Sequence, residues 1–421
     1  MKKLIVLVLC MMIIVMPFSA CAEKEPEGPV TITIMTEAQA NQFYYLNEKL
    51  TTIYGGEIQI NFEKLRSDQN LDVAEREAEL QRVRTEIMAG EGPDIFYLPT
   101  STAMMFEGVF TNVAESMNNG IFLPLDDYIA ESEIFDPEDY IEPILEAGKA
   151  DKGQMVVPLV YDIPLMLVEK SFADKLGKNT ITLDELLNCG DERTLARAAG
   201  SIAFDRTAHL IPGLADYSTG NLTMSEDELK IYFDDISDVV RRGNEVENFD
   251  HYAYYELGEK YGVHSSFDEY MLSELSRHYM DQLAPLIITN NEGEYTAKIT
   301  GFAAINANTE HPEEAFKVLE IIAGGYKTFG ESSLRPSTSS VWNNKGIAAV
   351  KEAYGETDLI DVELVKFIEE SVVYAEFACD LDSVLAKGRS RYSYAVKDGD
   401  IKGAEKVLAN TYSELKMHLA E

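Results

Sequence analysis

Glu86-Ile-Met-Ala-Gly-Glu-Gly-Pro-Asp-Ile-Phe-Tyr-Leu98 is the stretch that decides how this 421-residue chain is read. A helix stops at Gly90, Pro93 forbids its continuation, and Asp94 leads into an apolar strand. Upstream, Val30-Thr-Ile-Thr-Ile-Met35 alternates with threonine and predicts a buried strand. Residues 37 to 52 carry helical spacing, with Phe43, Leu46 and Leu50 on one face, and Gly55-Gly56 ends that element. Ile58, Ile60 and Phe62 alternate with polar residues in a second strand, and Leu71 to Ala89 form a long charged helix with an acidic first turn. Strand, helix, strand, helix predicts a mainly parallel α/β sheet. Helical periodicity returns over 226–242 and 313–323 and through most of the C-terminal third.

The chain starts as an export signal. Lys2 and Lys3 precede an apolar run from Leu4 to Met16, too short to span a bilayer stably, and Pro17-Phe-Ser-Ala20 delivers it to Cys21. Nothing later in the sequence reaches the roughly 20 apolar residues a spanning helix needs. Residues 22–29, acidic and rich in Pro and Gly, have the composition of an unstructured leash. The formal charge is −37. Phosphate backbones and anionic lipid headgroups would repel such a chain, which excludes nucleic acid as a partner. Beyond Cys10 and Cys21, only Cys189 and Cys379 remain; they fit no metal-ligand spacing, and a disulfide between them or two buried thiols are both allowed.

Catalytic and nucleotide motifs are missing from the sequence. It has no Gly-x-Ser-x-Gly elbow, no His-Glu-x-x-His and no phosphate loop. Asp68-x-Asn70-x-Asp72 lacks the glycine of a calcium loop, with Val73 in its place, and the six histidines are scattered. Neither a metal nor a cofactor is expected. Adjacent carboxylates, Asp126-Asp127 and Asp234-Asp235, are unremarkable in so acidic a chain. The tyrosine doublets Tyr44-Tyr45 and Tyr254-Tyr255 have no His or Asp partner that would complete an iron site.

The phrase "ile-x-ala-gly-x-gly-pro-asp" running into a hydrophobic strand resembles the extracellular solute-binding proteins of ABC importers, in the branch that includes the maltose-binding protein. Further segments resemble that template in order: Leu123-Pro-Leu-Asp-Asp-Tyr128, Gly153-Gln-Met-Val-Val-Pro-Leu-Val160 with Leu165-Met-Leu-Val-Glu-Lys170, Thr182-Leu-Asp-Glu-Leu186, and Gly301-Phe-Ala-Ala-Ile305 with the helix from His311. The likeness spans about residues 30 to 345. Between Arg193 and Ala297 the family's phrase of small residues and tryptophan is missing, and the only tryptophan is Trp342. The Ser-Ala-Cys21 segment is in turn similar to the lipobox of bacterial lipoproteins, with Phe18 where leucine is usual.

The resemblance implies a type II periplasmic-binding-protein-like fold, two α/β lobes joined by a hinge with a ligand cleft between them. It divides the chain into a signal peptide (1–20), a lipidated tether (21–29), lobe 1 (30–157 plus 300–334) and lobe 2 (158–299 plus 335–421). Cys21 would carry the lipid and hold a monomeric body at the outer face of the cell membrane. The loops after Met35, Leu98, Val160 and Ile305, with the segment around Arg335 to Asn343, would meet at the cleft. They supply Glu37, Thr100, Ser101, Tyr161, Asp162, Asn306, Arg335 and Trp342, with Tyr44 on the helix nearby. Such residues suit a carbohydrate, whose apolar face stacks on aromatic rings while carboxylates and amides meet its hydroxyls. The implied partners are a small solute, a sugar or oligosaccharide, and the ABC permease. A cell-surface glycoside-acting enzyme and a sensory or scaffold lipoprotein remain as alternatives.

Overall fold

The computed structural model describes residues 28–37, 44–65, 73–100, 108–203, 207–217, 219–246, 283–324 and 370–419. The expected signal peptide, Cys21, Ser101, Arg335 and Trp342 lie outside the described residues, as does the side chain of Tyr44.

Thirteen strands are described. They are β1 (Val30–Thr36), β2 (Ile58–Lys64), β3 (Ile95–Pro99), β4 (Lys149–Ala150), β5 (Gly153–Gln154), β6 (Val156–Asp162), β7 (Leu165–Glu169), β8 (Thr180–Thr182), β9 (Ala215–Asp216), β10 (Asn221–Leu222), β11 (Leu283–Thr289), β12 (Ala297–Ile305) and β13 (Ala375–Phe377). The helices that matter below are α1 (Tyr44–Tyr54), α2 (Val73–Met88), α3 (Glu192–Ala203), α4 (Glu226–Asn244), α5 (Pro312–Ala323), α6 (Asp380–Lys397) and α7 (Ile401–His418).

The decisive stretch folds as its chemistry requires. The Gly90 N–H closes the end of α2 on the Ile87 carbonyl at 3.0 Å. Gly90 and Gly92 take φ of 80° and 110°, backbone that side chains avoid. Asp94 then serves as a clasp: its carboxylate accepts from the Thr33 N–H at 2.8 Å and from the Thr309 hydroxyl. The turn is thereby tied to β1 on one side and to the chain beyond β12 on the other.

A six-stranded sheet follows, in the order β13-β12-β3-β1-β2 with β6 also on β12. It is mixed, not simply parallel: β1 runs parallel to β2 and β3, and β13 to β12, whereas β12 runs antiparallel to β3 and β6. A second sheet, β7-β11-β8, comes from the segment between β6 and β12. The consecutive strands β6 and β7 are not paired with each other: β6 joins β12 and β7 joins β11.

Each sheet has its own hydrophobic core. One cluster holds Ile32, Ile34, Phe96, Phe110, Phe122 and Phe302, with the four phenylalanines meeting mostly edge to face. The other holds Val168, Ile181, Leu229, Phe233 and Leu385, among the helices α3, α4, α6 and α7. Sheet membership changes between β6 and β7, between β11 and β12, and after β13, so among the described residues the chain passes between the two bodies three times, with Leu165 of β7 and Ile287 of β11 facing the first core. The divisions expected at 157/158 and 299/300 fall inside β6 and β12, strands that run on past those points. Cys189 and Cys379 are both free thiols.

Candidate functional site

Strand direction decides which loops can share a site. In the first sheet β1 and β3 end at Thr36 and Pro99, β6 ends at Asp162, and the antiparallel β12 begins there, with Lys298 opposite Asp162. Glu37, Thr100, Tyr161 and Asp162 therefore gather along one edge, beside the crossings between the two cores.

Asn306 does not join them. Because β12 runs against β3, pairing Ile305 with Ile95, its end lies at the opposite edge. There the Asn306 amide donates to the carbonyls of Glu91 (3.2 Å) and Pro93 (3.0 Å), and its side-chain oxygen accepts from the Asn308 N–H at 3.0 Å. Its hydrogen-bonding capacity goes into holding the Gly-rich turn. The rule that ligand loops follow strand ends assumes strands running the same way, and β12 runs against β3 and β6.

At the first edge, each residue has a distinct environment. Glu37 is buried against α2, where the Arg76 guanidinium donates to it at 2.7 Å. Burial raises the Glu37 carboxyl above its ordinary range, and the hydrogen bond and charge of Arg76 only partly oppose this. Thr100 is buried, its N–H donating to the Thr300 carbonyl (3.0 Å) and its hydroxyl to that of Ile299 (3.2 Å). Tyr161 lies within β6, opposite Ile299, and belongs to the first core. Asp162 is half-buried, and the imidazole of His209 approaches to 3.5 Å from a short 3-10 turn (Ala208–Leu210). The His209 carbonyl accepts from the Thr296 N–H at 2.8 Å, which fixes the turn to the start of β12.

Two of these participants, Arg76 and His209, stand in no recognisable sequence motif. Arg76 sits in the first turn of a helix that reads as a charged outer face, and His209 reads as one scattered histidine among six. The available signal for Arg76 was Glu37 itself: a carboxylate directly after a buried strand calls for a counter-charge. Chemically the edge offers carboxylates, hydroxyls, a guanidinium and an imidazole, a set suited to polyhydroxylated ligands. Among the described residues no group of three or more His, Cys, Asp or Glu could hold a metal ion, and no helix is long and apolar enough to cross a membrane.

This architecture is that of the bacterial solute-binding proteins with two α/β lobes. An extracellular solute-binding protein of family 1 from Alicyclobacillus acidocaldarius superposes with a TM-score of 0.55 at 14% identity, covering 93% of this chain and 100% of its own. A periplasmic oligogalacturonide-binding protein from Yersinia enterocolitica gives 0.59 at 13% over 93% and 99%, and the sugar-binding protein MalE from Xanthomonas citri 0.59 at 13% over 93% and 98%. A de novo designed cysteine esterase shares the fold as well, at 0.57 and 13% over 93% and 100%. No family model and no curated protein matches the chain. The chain thus has the fold of the family 1 solute-binding proteins, and the structures resembling it are mostly binding proteins.

Proposed function

We propose that the chain is the substrate-binding subunit of an ABC importer, anchored through a lipid on Cys21 at the outer face of the cell membrane. It takes a sugar or oligosaccharide between its two bodies, closes about the hinge, and delivers the solute to a membrane permease without changing it chemically. The observation that carries this reading is the edge of Glu37, Thr100 and Asp162 lying beside the three crossings, in a fold shared with proteins named for sugar and oligosaccharide binding. A ligand touching both bodies would stabilise the closed form by its differential affinity for that state.

The test is a panel of mono- and oligosaccharides, peptides and polyamines, read by thermal shift and by X-ray scattering. One solute should raise the melting temperature and compact the particle. Hydrolysis of a glycoside with no solute giving a shift would refute the proposal. Replacing Cys21 by serine should release the protein from the membrane fraction.

A further inference from the structure

Lys298 is flanked on both sides by carboxylates and reached by a third acid from above. In the register of the first sheet it stands opposite Asp162 on β6 and opposite Glu376 on β13. Its ammonium donates to Glu376 and, at 2.9 Å, to Asp382. Lys298, Glu376 and Asp382 are each about nine-tenths buried or more. Lys298 and Glu376 belong to the first sheet, whereas Asp382 lies in the first turn of α6, whose Leu381, Val384 and Leu385 are in the second core.

Among the described residues, the third crossing is the one that carries a buried lysine–carboxylate pair between the bodies. The first is the short Ile163-Pro164 step, and the second, Asn290 to Tyr295, closes largely on itself through Asn290, whose backbone and side chain bond Gly293, Glu292 and Glu294, and is tied to the second body by one backbone bond, from the Thr296 N–H to the His209 carbonyl. At the third, the start of α6 is fastened directly to the other body. The Ala378 N–H donates to the Ile299 carbonyl (2.9 Å), and the Asp380 N–H to the Thr111 carbonyl (3.3 Å). Asp382 completes the joint with one oxygen on the Cys379 N–H (3.1 Å) and the other on Lys298.

We propose that the Lys298–Asp382 pair is the pivot of this molecule: it holds the start of α6 against β12 while the first and second crossings flex, so that the second body turns about this point. The pair is a positioning element. It rests on the two-bodied fold and not on the identity of any solute, so it can hold even if the sugar-binding reading fails.

The test compares two carboxamides. Asp382→Asn and Glu376→Gln each remove one carboxylate from Lys298 and leave the other, so neither strands the buried ammonium. Of these two carboxylates, Asp382 is the one that bridges the bodies. The separation between bio-orthogonal labels at Glu48 on α1 and Lys402 on α7, both exposed, is measured on the full chain without ligand. Asp382→Asn should roughly double the width of the distance distribution, as expected of a loosened hinge, and Glu376→Gln should leave it unchanged. If Asp382→Asn does not fold, Lys298→Gln combined with Asp382→Asn and Glu376→Gln leaves no buried charge unpaired and should show the same broadening. Equal broadening by both carboxamides, or by neither, overturns the proposal.

Discussion

Replacing Asn306 by alanine separates a ligand residue from a structural one. Its amide donates to two carbonyls of the Gly-rich turn and its oxygen takes one N–H, with the side chain itself buried. Glu91 is exposed and water can replace the lost donor there, and the same holds for the N–H of the exposed Asn308 at the turn. Pro93 is buried, and its carbonyl would be left without a donor. An unsatisfied buried acceptor costs about 1–3 kcal/mol and each of the two rehydrated bonds about 0.5–1.5 kcal/mol, so the loss totals about 2–6 kcal/mol. For a body of this size roughly 2–4 °C is lost per kcal/mol, which places the melting temperature roughly 4–24 °C lower. Asn306→Asp, which keeps the acceptor but turns an oxygen toward two carbonyls, should do at least as much damage. Calorimetry reads the stability, and titration with whichever sugar raises the wild-type melting temperature reads the binding. Unchanged affinity with lowered stability is the expected result. A variant that melts like wild type yet binds the sugar tenfold more weakly would refute the assignment of Asn306 to the turn.

Three further outcomes are expected. Glu37→Gln should alter the pH dependence of stability: the folded chain holds a proton on Glu37 over a window above its ordinary 4.5 where the unfolded chain has lost it, so wild-type stability falls as pH rises through that window. The glutamine variant should lose this slope in melting curves recorded across the window, and an unchanged difference between the two proteins at all pH values would contradict the burial argument. Gly243→Ala places a Cβ 2.4 Å from that of Ala199 and 2.8 Å from the Leu195 carbonyl, where α4 crosses α3, and should cost about 1–3 kcal/mol in denaturant unfolding. Ser225→Ala removes the side chain that caps α4 in a reciprocal box with Glu228, a loss of about 1 kcal/mol by the same measurement.

Local chemistry made much of the fold legible. The strands around Val30 and Ile58, the helix ending at Gly90 and the strand after Asp94 lie where hydrophobic period and Gly/Pro punctuation put them. Thr182 does cap a helix, in a box with Glu185. Sequence could not give strand direction. Gly301 to Ile305 reads as a buried strand in either orientation, because period-two burial carries no polarity; only its pairing with β3 makes it antiparallel. That single fact moves Asn306 to the far edge while leaving Glu37, Thr100 and Asp162 together. Arg76 and His209 were hidden for a related reason: their partners, Glu37 and Asp162, are 39 and 47 positions away, beyond any local pattern.

The same edge assignment constrains how the proposed anchor and the site would be arranged. Val30 opens β1 on the edge that holds Asp94 and Asn306, since Thr33 and Asp94 exchange hydrogen bonds there. The leash from Cys21 to Val30 would leave the body from that edge, and its nine steps span at most about 30 Å when fully extended. Glu37, Thr100 and Asp162 lie at the other end of the same strands. Under the proposed reading, a lipid on Cys21 would therefore hold the molecule by the side away from its binding residues. Moving the anchor to the other end of the strands should block transport while leaving the binding of the soluble form unchanged. Transport that continued with the anchor at the binding edge would show that the separation of tether and site has no functional role.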